Sequence, residues 1–435
     1  METQVLTEAE QRAVISKITW RLIPLLFVCY IVAYIDRINV GFAKEHLEPV
    51  LRVDPKIFGE VFGTGAGLFF IGYFLFEVPS NLALQKFGAR VWIARIMIVW
   101  GIVSLGFMFL NGKTMFYVMR FLLGAAEAGF FPGIILYLTF WYPAKERAKT
   151  VALFALGGIA AGIVGSPLSG ALLKMDGILG MEGWRWMFFL EAIPAIILGV
   201  VVFVWLPNGP SDVKWLQPRE KEWLQSTIAA EAVEAPGVKY RLVDAFSDAR
   251  VWLLCLLYFL VNVAGYGYEF WAPSLLKTLL PKADSLELGL WNTPAYVAAG
   301  FAMLMVGRHS DRTGERRFHV AVPAAIAAGG AVLAAFAGNP WLGMLGMVIL
   351  LAGQKSTLGP FWALGTAALR GTAAAGGIAL INSVGNLGGY FGPKIVGMIK
   401  DKTHNDTTVL LFLGGALLAL GGLALILKPA PKATL

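Results

Sequence analysis

Apolar runs of about twenty residues recur along nearly the whole chain, and they restrict its fold more than any other feature. Roughly 20 apolar residues wound as a helix cross the ~30 Å of hydrocarbon in a bilayer, where helices and closed barrels alone satisfy their own backbone groups. Such runs predict helices near 18–42, 58–83, 91–110, 113–138, 148–173 and 185–206. Six more follow near 249–279, 287–307, 319–338, 341–368, 372–395 and 408–428. The expected fold class is an all-α membrane protein with twelve transmembrane helices, numbered here spans 1 to 12. Of 435 residues only 15% are charged, against about 25% in soluble domains. The 50 glycines and 14 tryptophans suit close helix packing and belts at the depth of the lipid headgroups.

Between the sixth and seventh runs lies the one long polar stretch, 207–248, with Pro207, Pro210, Pro218 and Pro236 and the charged sequence Pro218-Arg219-Glu220-Lys221-Glu222-Trp223. It reads as a linker between an N-terminal half, 1–206, and a C-terminal half, 249–435. Residues 1–20 are polar and mixed in charge, with no short apolar core before a small-residue cleavage site, so span 1 is expected to remain as a membrane helix. Lys86, Arg90, Lys145, Arg147, Lys149, Arg308, Arg312, Arg316, Arg317 and Arg370 fall on alternate loops. By the positive-inside rule those loops and both termini are cytoplasmic. The opposite loop 43–57 balances Lys44, Arg52 and Lys56 against Glu45, Glu48 and Asp54.

The halves share a device. After span 8 the chain reads Gly307-Arg308-His309-Ser310-Asp311-Arg312-Thr313-Gly314-Glu315-Arg316-Arg317, and after span 2 a worn version ends in Lys86-Phe87-Gly88-Ala89-Arg90. Two six-helix pseudo-repeats are implied. In such a turn Gly permits a tight reversal, and an Asp beside clustered Arg fixes neighbouring helix ends through ion pairs and dipoles. Gly307, Asp311, Arg312, Gly314 and Arg316 are therefore candidate gate residues.

Several function classes are disfavoured. The formal charge of +8 sits in short segments between apolar runs, a topology signal rather than a nucleic-acid footprint. Cys29 and Cys255 lie inside apolar runs and suggest core packing, not a disulfide framework. His46, His309, His319 and His404 are scattered, and neither a zinc-peptidase, a serine-hydrolase nor a phosphate-loop pattern occurs. No metal, cofactor, enzymatic or ATP-driven role is indicated.

The turn at 307–317, the twelve helices and the duplicated halves resemble the major facilitator superfamily. Tyr34-Ile35-Asp36-Arg37-Ile38-Asn39-Val40-Gly41 in span 1 and Arg120 through Gly133 in span 4 are similar to its anion:cation symporter family. Gly183 through Glu191 at span 6, and Asn382-Ser383-Val384-Gly385-Asn386 in span 11, reinforce the match. The resemblance covers nearly the whole chain. It implies the major facilitator fold, a functional monomer in a bacterial inner membrane, and proton-coupled uptake of an organic acid. Family members carry tartrate, galactonate, glucarate, phthalate or 4-hydroxyphenylacetate, with animal relatives for sialic acid and glutamate. The cargo expected here is thus a small organic anion moved with protons, through the lipid bilayer and by alternating access.

A charge at the bilayer centre costs roughly 2.5–3.5 kcal/mol on insertion scales, so ionisable residues inside the spans are functional candidates. Asp36, Arg37, Arg120, Glu127 and Lys355 stand out. At about 1.5 Å per residue, Asp36 and Arg120 lie about 9–10 Å from the outer face, which suggests a pair. Glu127 reaches about 21 Å, near the midplane, together with Tyr73 and Lys355. Neighbouring residues on a helix point about 100° apart, so Asp36 and Arg37 need separate partners. Arg37 is the candidate to grip a carboxylate in a fork-like pair, while Asp36 faces Arg120. The bland alternative is that all three lock spans 1 and 4 together.

Glu127 is the main candidate proton carrier, since burial favours the neutral form of a carboxylate and a nearby Arg the charged one. A permanently hydrogen-bonded structural Glu is the alternative. The resemblance also places coupling at Asp36, beside Arg120. Lys355 departs from the family's usual small or apolar residue and offers a second cation for a dianion, unless it merely pairs with a carboxylate. Asn382 and Asn386 share a helix face and suit either a substrate hydroxyl or helix glue. Tyr73, Tyr266, Tyr268, Trp271, Tyr296 and Trp362 are candidate aromatic lining. Sodium coupling, anion exchange and a neutral sugar cargo remain as runners-up, and a channel or non-transporting receptor as the other class.

Overall fold

A computed structural model describes residues 6–234, 248–368 and 373–427; Arg370 and Pro236 lie outside them. All regular structure among the described residues is helical, and ten helices are long and apolar enough to cross a membrane. The two further crossings are Ser285–Thr313, which ends in the charged turn, and the interrupted pair Ala373–Asn386 and Gly388–Thr403. Apolar side chains such as Phe301, Met305 and Trp205 point out of the bundle, where lipid replaces water.

Several helices exceed their apolar cores because polar residues cap them. Span 1 begins at Glu8, ten residues before the apolar run, because Thr7 and Glu10 form a capping box. Asp284 and Glu287 form another that starts span 8. Much of the expected loop 43–57 is helix, Val40–Leu51. The expected linker also contains a helix, Pro218–Glu234, held to the N-terminal half by Lys17–Glu220 at 2.9 Å and Arg147–Glu231 at 3.5 Å. Cys29 and Cys255 are buried and free.

Helix pairings repeat with a shift of six. Span 3 packs on span 6 and span 9 on span 12; span 2 on 4 and 8 on 10; span 1 on 5 and 7 on 11. The duplicated turns dock alike: Gly88 turns with φ +86° and Arg90 donates to the Phe203 carbonyl closing span 6. Gly314 turns with φ +68° and Arg317 donates to the Leu425 carbonyl closing span 12. Asp311 pairs with Arg316 at 2.6 Å and Arg316 also reaches Ser310, while Arg312 is exposed. Gly307 lies within the helix with open space where a Cβ would stand, so the reversal belongs to Gly314 alone.

The halves meet through spans 2 and 11 and spans 5 and 8. Glycine makes the contact possible: a Cβ on Gly397 would stand 2.0 Å from the Gly59 carbonyl oxygen, and one on Gly289 2.2 Å from that of Ser166. These seams lie toward the end remote from the linker helix. There Lys174 also pairs with Asp284 at 2.7 Å. That hydrogen bond holds the Asp284 carboxyl below its usual range, so the clamp persists above that range and loosens only as acid protonates it.

Candidate functional site

Among the described residues five spans break inside the bundle, and four of them carry charge in the last turn before the break. Span 1 ends its first segment at Ile38, one residue past Arg37; span 4 ends its first segment at Glu127. Span 7 pauses at Glu269 and span 10 at Ser356, next to Lys355. Gly129 permits the break in span 4, with φ +85° and Ser80 Oγ only 2.4 Å from where a Cβ would be. A helix C-terminus is the negative end of its dipole. Cations are favoured there, and a carboxylate needs a cation or a proton beside it.

Each carboxylate has its cation. Arg37 forms an ion pair with Glu127, donates to Tyr266 Oη at 3.1 Å and lies over the Phe69 and Tyr73 rings at 5.0 and 5.6 Å. Lys355 pairs with Glu269 at 2.9 Å. Tyr34 Oη is 3.0 and 2.9 Å from the two Glu269 oxygens and accepts from Lys355 Nζ at 3.2 Å. All four charged residues are buried. Among the described residues Arg37 Nε and the second Glu127 oxygen have no hydrogen-bond partner, which leaves one donor and one acceptor for a ligand.

The expected Asp36–Arg120 pair does not form. Asp36 accepts from Trp100 Nε1 at 2.6 Å and Ser104 Oγ at 3.0 Å, both on span 3. Arg120 donates to the Ala66 carbonyl at 2.9 Å and lies over Phe69 and Phe270. Equal depth says nothing about rotation about the helix axis. Once Arg37 points at span 4, its neighbour must point elsewhere. Arg120 and Arg37 share the Phe69 ring.

The other candidates divide. Tyr73, Tyr266 and Tyr296 touch the charged cluster, Tyr296 Oη reaching Glu269 at 3.4 Å. Trp271 instead lies under Lys44 at 4.5 Å and donates to the Pro393 carbonyl. Tyr268 is buried elsewhere on the helix, and Trp362 packs edge-on against Tyr258 at 5.0 Å. Asn382 donates to Glu77 Oε1 at 2.6 Å across the seam of spans 2 and 11. Asn386, half-buried, ends its helix segment at the break in span 11.

Three buried carboxylates were missed among the candidates: Glu77, Glu191 and Glu269. Glu191 accepts from Ser169 at 2.7 Å and Asn39 at 2.8 Å, tying spans 1, 5 and 6. All three fall inside apolar runs, so the cost of burying charge flags them as it flags Glu127.

The Major Facilitator Superfamily model matches residues 26–393. A protein of Agrobacterium vitis, provisionally named a tartrate transporter, is 46% identical over 99% of this chain and 95% of its own length. An Acinetobacter baumannii protein named a quinolone resistance transporter is 40% identical, over 93% of this chain and 92% of its own. Among solved structures, the D-xylose-proton symporter superposes with a TM-score of 0.76 at 17% identity, covering 95% of this chain and 98% of that one.

Proposed function

The chain belongs to the major facilitator superfamily, integral membrane transporters rather than enzymes, and on that premise we propose that it carries a small organic anion with protons by alternating access. The observation that carries this reading is the buried Arg37–Glu127 pair at two helix breaks. A fork-like guanidinium is suited to a carboxylate, and its resident partner is a carboxylate that a substrate can replace. The tartrate name borne by a relative nearly half identical supports the substrate class. A neutral sugar would leave Arg37 without an exchange partner.

Residues 1–206 and 249–435 act as the two rocking halves, with 207–248 a cytoplasmic linker and both termini cytoplasmic. The setting is a bacterial inner membrane and the working unit a monomer. The structure then corresponds to a state closed at the outer seam. Glu127 is the main proton carrier; Asp36, held by span 3, is the second, and Arg120 tunes Glu127 by its charge. The Asp311–Arg316 turn steadies the cytoplasmic gate.

Counterflow into proteoliposomes tests the reading. Labelled tartrate or a related acid should enter faster when the lumen holds unlabelled acid, and a neutral sugar should neither substitute nor compete. A channel or a non-transporting receptor gives no such stimulation. The outer seam has its own test. Adding a methyl at Gly397 overpacks backbone against backbone, at a cost of about 1–3 kcal/mol, so Gly397→Ala should favour the outer-open form by about five- to 150-fold. Labelling of a Ser274→Cys reporter by an impermeant reagent reads that shift; unchanged labelling would mean the seam does not control closure.

A further inference from the structure

The two ion pairs are related by the six-helix repeat with their charges exchanged. Span 1 carries Tyr34 three residues before Arg37, and span 7 carries Tyr266 three residues before Glu269. Their partners, Glu127 and Lys355, stand in the last turns of half-helices in spans 4 and 10, the corresponding pair. The tyrosines cross over. Tyr266 accepts from Arg37 of the other half, and Tyr34 binds both Glu269 and Lys355. The Tyr34 ring lies 5.6 Å from the Arg37 guanidinium carbon and 5.6 Å from Lys355 Nζ.

A lysine bonded to a glutamate for mere helix adhesion is a poor bargain in a desolvated core, because desolvation consumes most of the Coulombic gain. Here the pair also has more partners than adhesion of spans 7 and 10 needs. Glu269 is faced by Lys355 from span 10, Tyr296 from span 8 and Tyr34 from the opposite half, with Tyr266 and Tyr268 on its own span. It sits where the halves must separate and rejoin.

We propose that Glu269 is a resident carboxylate holding the Lys355 site between transport events. One carboxylate of a dicarboxylate substrate displaces it from Lys355 while the other engages Arg37, and the displaced Glu269 carries a proton of its own. The inference rests on the organic-anion reading above and extends it to a dianion and a further coupled proton. In the exchange no covalent bond to substrate forms. The freed Glu269 oxygen forms an O–H bond with a proton from hydronium on the side of entry, whose own O–H bond breaks to leave water, and returns that proton to water on the far side when the substrate leaves and Lys355 returns.

The experiment uses full-length protein in proteoliposomes, with tartrate and succinate compared against glycerate and butyrate. Lys355→Met should weaken half-saturation for the dicarboxylates about ten- to hundredfold, the loss of a charge-assisted contact, with the monocarboxylates changed less than about twofold. Because Lys355→Met strands Glu269, the double variant Lys355→Met with Glu269→Gln serves as the fold-safe check and should give the same pattern. Glu269→Gln alone should move one proton fewer per dicarboxylate molecule than wild type, read as lumen acidification per labelled substrate taken up and so independent of the uptake rate. An unchanged proton count in Glu269→Gln, or equal losses for both substrate classes in both lysine variants, overturns the inference alone. Wild-type vesicles that move no carboxylic acid overturn the functional reading with it.

Discussion

Glu127→Gln protein in proteoliposomes is expected to exchange labelled for unlabelled acid across the membrane but to accumulate it about tenfold less per unit of inward pH gradient. Gln keeps the shape of Glu, and its amide oxygen can still accept from Arg37, so folding and exchange survive. What it lacks is a site for a proton. Glu127 ends a half-helix at the negative end of its dipole, so its carboxylate must always have a cation or a proton. At rest Arg37 supplies the cation. When a substrate carboxylate takes Arg37, a proton has to take its place, and that obligation is the coupling. One pH unit is worth about 1.4 kcal/mol per proton, about a tenfold accumulation, so the loss is easily read. Full accumulation by Glu127→Gln would remove Glu127 from the coupling path.

Arg37→Lys should weaken transport affinity about ten- to hundredfold while the protein still folds. Lysine keeps the charge for Glu127 but cannot reach two acceptors in one plane. Arg37 spans two partners, Glu127 on span 4 and Tyr266 on span 7, and a lysine ammonium would serve one of them. Losing one charge-assisted hydrogen bond costs about 1.5–3 kcal/mol, which is the tenfold to hundredfold expected. The effect should appear in half-saturation and in binding of the purified protein. Near-normal affinity in Arg37→Lys would assign Arg37 to the locking of spans 1 and 4.

Much of the fold was legible because a bilayer leaves a chain few choices. Long apolar runs give the spans, and the turn at 307–317 with its worn copy gives the repeat, which the docking of Arg90 and Arg317 on spans 6 and 12 repeats in three dimensions. Helix ends were less legible, since a hydropathy rule does not see the capping boxes at Thr7 and Asp284. In the candidate site, burial cost singles out Arg37, Glu127 and Lys355 and depth adds Tyr73; the structure places the three charges at helix breaks and the Tyr73 ring beside Arg37. Their pairing was not legible. Depth along an axis fixes only one coordinate: it pairs Asp36 with Arg120, whereas rotation about span 1 takes Asp36 to Trp100 and Ser104. For Lys355 the sequence leaves a substrate anion and a carboxylate partner both open, and the structure supplies the partner, Glu269. The shared Tyr-x-x-charge spacing in spans 1 and 7 was the sequence signal for it.

The most direct test of the central claim is lumen pH, followed with a trapped dye in proteoliposomes that start with no pH gradient, while labelled tartrate or a related acid is added outside. Proton-coupled anion symport predicts that the lumen acidifies as the acid enters, that a protonophore abolishes the acidification and any uphill uptake, and that sodium is not required. Uptake of the acid with no acidification, or uptake that depends on sodium or on a counter-anion in the lumen, would contradict it.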